Sequence, residues 1–342
     1  MMENNTIHSA ETEPDHSLNG GFMSQYIPLL YKYDASLKHK IYVWNGSLLF
    51  DIALFFLVYL YSQRLKTFKA LPNKHKVFWC LTGVRAIFGI HTVIFCGLTA
   101  LKDSELYNDK VFGRTLSSDF FIARIVGFFI FECMFLFMSD IVFKTLNKGL
   151  AIHHTLSLLG FAVGSYINQG HFFGIVGIIM EMSTPATSIC WMLIQAKLSK
   201  HYFWKINQHI LIYLFNTRQN LGFYAIYHIW AQWSYIHANM NGYFQWLILA
   251  NSLIVTLILN PYWTYKKTVQ LYSGEDWNFT PLAKPKASAF PIIATGKEDM
   301  SEELETFKSG DSYEVTKISK GVNTNGIIRG VVPNEAVRNR MK

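Results

Sequence analysis

The stretch Leu150-Ala151-Ile152-His153-His154-Thr155-Leu156-Ser157-Leu158-Leu159-Gly160-Phe161-Ala162-Val163-Gly164-Ser165-Tyr166 decides the fold. It is apolar enough to cross a bilayer, which takes roughly 20 residues of helix, yet it opens with two adjacent imidazoles. Imidazoles facing hydrocarbon are costly, so His153 and His154 belong against a protein interior or a wet cavity. As a helix, the run puts Ser157, Gly160 and Gly164 on the same face as His153. His154 then points about 100° away. Gly160 and Gly164 form a small-xxx-small pair, which lets another helix come close. This span is therefore expected at the centre of a bundle.

Further apolar runs flank it: Ile41 to Tyr61, Val77 to Ala100, Phe120 to Phe143, Phe172 to Ala196, Ile206 to Trp230 and Tyr243 to Tyr265. The chain of 342 residues is 51% hydrophobic and only 16% charged, against roughly 25% charged in a soluble domain. The expectation is an all-α polytopic membrane protein, a bundle of about seven transmembrane helices around a polar chamber. Residues 1–40 read as a lumenal tail, 41–279 as the transmembrane domain and 280–342 as a disordered cytosolic tail. Met1 to Asp34 lacks the basic start and apolar stretch of a cleavable signal, so the first span is expected to serve as the targeting signal. The four cysteines, Cys80, Cys96, Cys133 and Cys190, have no metal-ligand spacing and read as small core residues.

The net charge of +8 comes from Lys and Arg in loops and tails at membrane edges, and does not point to nucleic acid. Basic residues crowd the loops after the first, third and fifth runs, with Lys266-Lys267 after the last. The loops at Asn168 to His171 and Ala231 to Gly242 have none. The positive-inside rule then puts the C-terminus in the cytosol, and seven crossings put the N-terminus in the lumen. Asn4-Asn5-Thr6 would be a usable glycosylation sequon on that side. Arg338 and Arg340, close to the end, look like a retrieval signal for the early secretory pathway.

The chemistry-bearing residues gather in the runs. Glu181-Met182-Ser183-Thr184-Pro185 puts a carboxylate, two hydroxyls and a helix breaker into the fifth, and Pro185 is expected to kink it near Glu181. Glu132 in the third run and Arg85 in the second would satisfy each other's charge inside the bundle, either as an ion pair holding helices in register or as part of the site. Asp51 lies in the first. A polar stripe in the sixth run, His209, Tyr213, Asn216 and Asn220, is expected to line the chamber, with Arg218 off the stripe. No Gly-rich phosphate loop, Ser-centred nucleophile elbow or Cys-pair metal motif occurs. What remains is a His nucleophile or base, His153 with His154 as partner or the two in reversed order, with Glu181 as the orienting carboxylate. Arg85, Glu132, Ser157, Ser183 and the stripe are the candidate substrate contacts.

The sequence resembles the TLC (TRAM–LAG–CLN) domain family, which includes the ceramide synthases. The stretches that carry the likeness run in order from Lys76-Val77-Phe78-Trp79 and Arg85-Ala86-Ile87-Phe88-Gly89, through Ile152-His153-His154 and Glu181-Met182-Ser183-Thr184-Pro185, to Asn260-Pro261-Tyr262-Trp263-Thr264 and Asp276-Trp277-Asn278-Phe279. The resemblance implies a protein of the endoplasmic reticulum that cycles toward the Golgi, in one of two roles. One is acyl transfer to a glycerophosphoglycerol-type precursor, on the way to bis(monoacylglycero)phosphate, from an acyl-CoA or phospholipid donor and with no bound cofactor. The other is a cargo receptor that carries newly made lysosomal enzymes and engages vesicle coat proteins. Ceramide synthases follow the paired His with aspartates on the next span. Here Glu181 and Ser183 stand there instead, which argues against ceramide synthesis.

The expected lumenal loops look small for recognising many enzymes, since specific interfaces bury about 800 Å² per partner; an oligomer would supply more. A non-catalytic lipid sensor is the third reading.

Overall fold

The structure, a computed structural model, describes residues 18–27, 32–145 and 148–276. Asn4, Arg338 and Arg340 lie outside the described residues, as does Trp277-Asn278-Phe279. Among the described residues there are helices and no strands. The long ones follow the apolar runs: α1 (Leu37–Ser62), α2 (Asn73–Lys102), α3 (Leu116–Phe143), α4 (Lys148–Ile167), α5 (His171–Gln195), α6 (Tyr202–Ala231) and α7 (Gly242–Ser273). They overrun the apolar stretches because polar caps carry the backbone helix past the hydrocarbon. Ser36 accepts from His39 N, Thr115 and Ser118 form a capping box, and Asn241 accepts from Tyr243 N and Phe244 N. The first helix thus begins at Leu37, inside the stretch read as tail.

Six of these helices are long and apolar enough to cross a membrane; α6 is the exception. Its 30 residues give about 45 Å at ~1.5 Å per residue, but its amides, His209 and Arg218 dilute its apolar character. Its neighbours place its two ends. Before its start, Ser199 lies against Gly274 at the finish of α7. After its finish, Tyr235 donates to Asp109 and Asn241 N donates to Gln169. α6 therefore runs the full length of the bundle, and the bundle has seven long helices.

One end gathers the N-terminal segment and the loops before α3, α5 and α7. Leu116 N and Ser117 N donate to the carbonyls of Asn19 and Gly20, and Gly170 N donates to Val111 O. The other end gathers the remaining connections. Trp79 Nε1 donates to Ser62, and Trp191 and Gln195 donate to Asp276. The described N-terminal segment and Asp276 thus sit at opposite ends, and the basic loops after α1, α3 and α5 share the end with Lys266 and Lys267.

The outside is apolar. Leu49, Phe50, Phe56, Leu57 and Leu60 of α1 are exposed, a patch that fits acyl chains and not water. Inside, aromatic rings pack helix to helix: Phe88 stacks on Phe128, and Phe129 stacks on Phe161. A Cβ on Gly127 would lie 2.4 Å from the Trp44 carbonyl oxygen, so α1 and α3 meet backbone to backbone. Arg124 of α3 grips Asp51 of α1 with two contacts of 2.8 Å. The four cysteines are free and buried.

Two helices are broken. α5 is α-helical over His171–Ile179, tightens to a 3-10 turn at Met180–Ser183 and resumes at Thr184, with Pro185 in the first turn of the new segment. A Cβ on Gly89 would come within 2.7 Å of Pro185 Cδ, so α2 lies tight against the break. In α7 a π-helical turn at Ile254–Leu259 precedes Pro261. Such turns accommodate a missing backbone donor and are frequent at functional sites.

Candidate functional site

Each histidine of the pair has its own carboxylate. His153 Nε2 lies 3.7 Å from Glu181 Oε1, and His154 Nδ1 lies 3.6 Å from Glu132 Oε2. Both distances allow charge attraction and exceed a hydrogen bond. The two rings meet edge to face, 5.3 Å between centroids. α4 packs against α3 on one side and α7 on the other, so both rings find protein. His154 is the more buried and rests against Phe129; His153 meets Trp263 of α7 edge-on at 5.3 Å. The expected divergence of about 100° therefore sends the two rings to two neighbours, and neither to lipid.

Glu181 sits in the 3-10 turn of α5, where the break turns its side chain toward α4. Thr184, one turn on, donates to its second oxygen. Glu132 is wholly buried and accepts from Arg85 Nε and from Arg85 NH2 at 2.6 Å. The Arg85–Glu132 pair thus joins α2 to α3 directly beneath His154.

The structure corrects the reading of α6. His209, Tyr213, Asn216 and Asn220 are all exposed on the outer face of the bundle. The inward face is Trp204, Asn207, Gln208, Leu211, Phe215, Arg218 and Gly222. Periodicity identifies a polar stripe without saying which way it faces. Asn216 meets its needs on its own helix, donating to Ile212 O at 3.0 Å. Arg218 is the residue that points in: it is 4% exposed, and its NH1 donates to Ser183 Oγ at 2.7 Å. A single arginine inside an apolar run, one turn from Phe215 and Gly222, was the available signal. Lys267 and Trp263 of α7 are the other site residues that the sequence reading passed over.

His153, Glu181, Arg218 and Phe129 form the wall between two cavities. One, of about 170 Å³, lies toward the end holding Asp276. It carries Arg85, His154, Thr184, Thr187, Ser188 and Lys267. The other, of about 100 Å³, runs toward the opposite end. It passes Ser157, Gly160, Gly164, Gly174 and Gly177 to Gln169 and Phe244, between Phe161, Phe173 and Ile248. The expected polar chamber is therefore two compartments, one carrying three cations and the other a run of glycines, with His153 at their junction.

A model of the TLC domain matches residues 78–268. The chain belongs to the TLC family. It is 36% identical over 257 residues to Protein CLN8 of Rattus norvegicus, covering 74% of this chain and 88% of that protein. It is 36% identical over 250 residues to Protein CLN8 of Homo sapiens, covering 72% and 86%. TLC domain-containing protein 4 A of Dictyostelium discoideum is 26% identical over 229 residues, covering 64% and 84%. No solved structure matches the chain. The TLC match includes Arg85, Glu132, His153, His154, Glu181, Arg218 and Lys267, and leaves out α1.

Proposed function

We propose that this membrane protein is a His-dependent acyltransferase acting on a glycerophospho precursor of the glycerophosphoglycerol type. The observation that carries the reading is the junction. A histidine with a carboxylate near one nitrogen stands between a cavity lined by Arg85, Arg218 and Lys267 and one lined by a run of glycines. An acyl group transferred at that point would keep its chain on the glycine-lined side, while charged head groups of donor and acceptor would meet the cations on the other. Glu181 faces Nε2 of His153, which favours the tautomer protonated there and leaves the lone pair on Nδ1. Nδ1 is buried and has no hydrogen-bond partner among the described residues.

The chemistry then follows. Nδ1 bonds to the carbonyl carbon of an acyl-CoA or phospholipid ester, and the bond to the thiolate or alkoxide breaks. That group leaves, taking up a proton. The acceptor hydroxyl oxygen bonds to the same carbon, the carbon–nitrogen bond breaks, and the hydroxyl proton is released. In the direct alternative, Nδ1 takes the acceptor's proton while its oxygen bonds to the donor's carbonyl carbon, and the imidazolium gives that proton to the thiolate or alkoxide as its bond to the carbon breaks. Glu181 stabilises the imidazolium in either route, and His154, held by Glu132, supports the ring edge-on. The test is a lipid-product screen with purified protein, phosphoglycerol acceptors and acyl-CoA or phospholipid donors; a product shared with protein-free controls would contradict the reading.

The proposal includes residence in the endoplasmic reticulum membrane with cycling to the Golgi, so Arg338→Ser with Arg340→Ser should shift the steady state forward. The second reading, a receptor for newly made lysosomal enzymes, finds support in the folded cap at the N-terminal end. There Phe22 N donates to Asp103 and Met23 N to Ser117. The product screen separates the two, because a receptor makes no lipid.

A further inference from the structure

We propose that Arg218 and Lys267 form a phosphate-binding subsite in the cation-lined cavity beside His153. The inference rests on the acyltransfer reading for its substrate class, and its geometry stands apart from that reading.

The charges around this cavity do not balance at contact distance. Arg85 is neutralised by Glu132. Among the described residues, neither Arg218 nor Lys267 has a carboxylate oxygen within 4.0 Å. Lys267 Nζ donates to a neutral acceptor, Gln270 Oε1 at 3.1 Å, and an ammonium has two further donors. Arg218 spends NH1 on Ser183, and its buried Nε has no hydrogen-bond partner among the described residues. A buried guanidinium nitrogen left without an acceptor costs stability, and such a cost is held in place where a ligand supplies the acceptor.

The shape of the cavity restricts the ligand. Trp263 touches both the reactive ring and the guanidinium: His153 meets its ring edge-on, and the Arg218 guanidinium carbon lies 5.9 Å from its centroid. An anion bridging Arg218 and Lys267 therefore sits beside the acyl-transfer point, on the head-group side. The cavity holds about 170 Å³, enough for a phosphate ester with a few attached atoms. A planar guanidinium and a mobile ammonium together suit the several oxygens of a phosphate. The phosphate comes either from the glycerophospho acceptor or from the CoA of the donor.

The test uses the full-length protein in detergent and reads binding without turnover. The probes are glycerophosphoglycerol and free CoA, with glycerol and pantetheine as phosphate-free counterparts. The wild-type protein should bind at least one phosphate probe well above its counterpart. Lys267→Gln should weaken that binding roughly tenfold, with Lys267→Arg largely restoring it and the unliganded melting temperature unchanged. Arg218→Gln should act in the same direction. A loss confined to glycerophosphoglycerol assigns the subsite to the acceptor; a loss confined to CoA assigns it to the donor. Unchanged affinities in Lys267→Gln, or wild-type binding no better than to the phosphate-free counterparts, overturns the subsite. A wild-type protein that binds phosphate but makes no lipid would leave the subsite standing and remove only acyl transfer.

Discussion

Arg85 closes on Glu132 through contacts of 3.0, 3.0 and 2.6 Å, in a place where no part of Glu132 reaches the surface. His154 Nδ1 lies 3.6 Å from the same carboxylate. Removing one partner strands the other charge, at a cost of roughly 3–5 kcal/mol. Arg85→Met or Glu132→Leu alone should therefore abolish most folded protein. The double variant should recover much of it, since replacing both charges is close to neutral. Fluorescence-detected size exclusion of the three variants checks this; a double variant no better than the singles contradicts it.

The approach of α1 to α3 makes a paired prediction. At Gly127 any side chain meets backbone, with Trp44 O and Ser47 Cβ both at 2.4 Å, whereas at Gly46 a Cβ meets nothing within 4 Å. Gly127→Val should prevent accumulation of the protein. Gly46→Ala should be neutral or slightly stabilising, by up to ~1 kcal/mol in a helix interior. Equal expression of the two would mean that α1 does not lie on α3 as described.

α6 should cross the membrane despite its polar content. A glycosylation sequon introduced between residues 232 and 241 should acquire a glycan, and one between 196 and 201 should not. The opposite pattern reverses the orientation. Glycans on both segments, or on neither, would show that α6 does not cross.

Asp103 caps the end of α2, accepting from Thr115 Oγ1 at 2.6 Å and Phe22 N at 2.7 Å. Burial pushes its carboxyl above the usual range, and these two hydrogen bonds offset only part of that. A carboxyl raised in the folded state binds its proton more tightly folded than unfolded. Its stabilisation is present below the ordinary value of about 3.9 and is lost as pH rises through the raised value. Asp103→Asn should therefore flatten the pH dependence of the melting temperature just above that ordinary value. An unchanged slope would contradict the assignment.

Length and apolarity made the helices legible, because hydrocarbon demands both. Carboxylate–cation pairing made Arg85 with Glu132 legible too. Asp51 was visible without its partner, since nothing in a linear pattern pairs it with Arg124. The direction of α6 was not legible: an Asn can satisfy itself on the preceding turn, as Asn216 does, so a polar stripe is free to face outward. Arg218 has no such recourse, and its buried charge was the better guide to the inner face. Lys267 was hidden by its neighbour Lys266, which makes both read as membrane-edge charges.

The central claim is that His153 carries acyl transfer with Glu181 as its orienting carboxylate. The most direct measurement is lysophospholipid formation by purified His153→Ala, His154→Ala and Glu181→Gln, at equal amounts of folded protein. The account predicts that His153→Ala abolishes product, His154→Ala nearly does so and Glu181→Gln weakens it strongly, with melting temperatures unchanged. Full product formation in both histidine variants would contradict it and leave the receptor reading ahead.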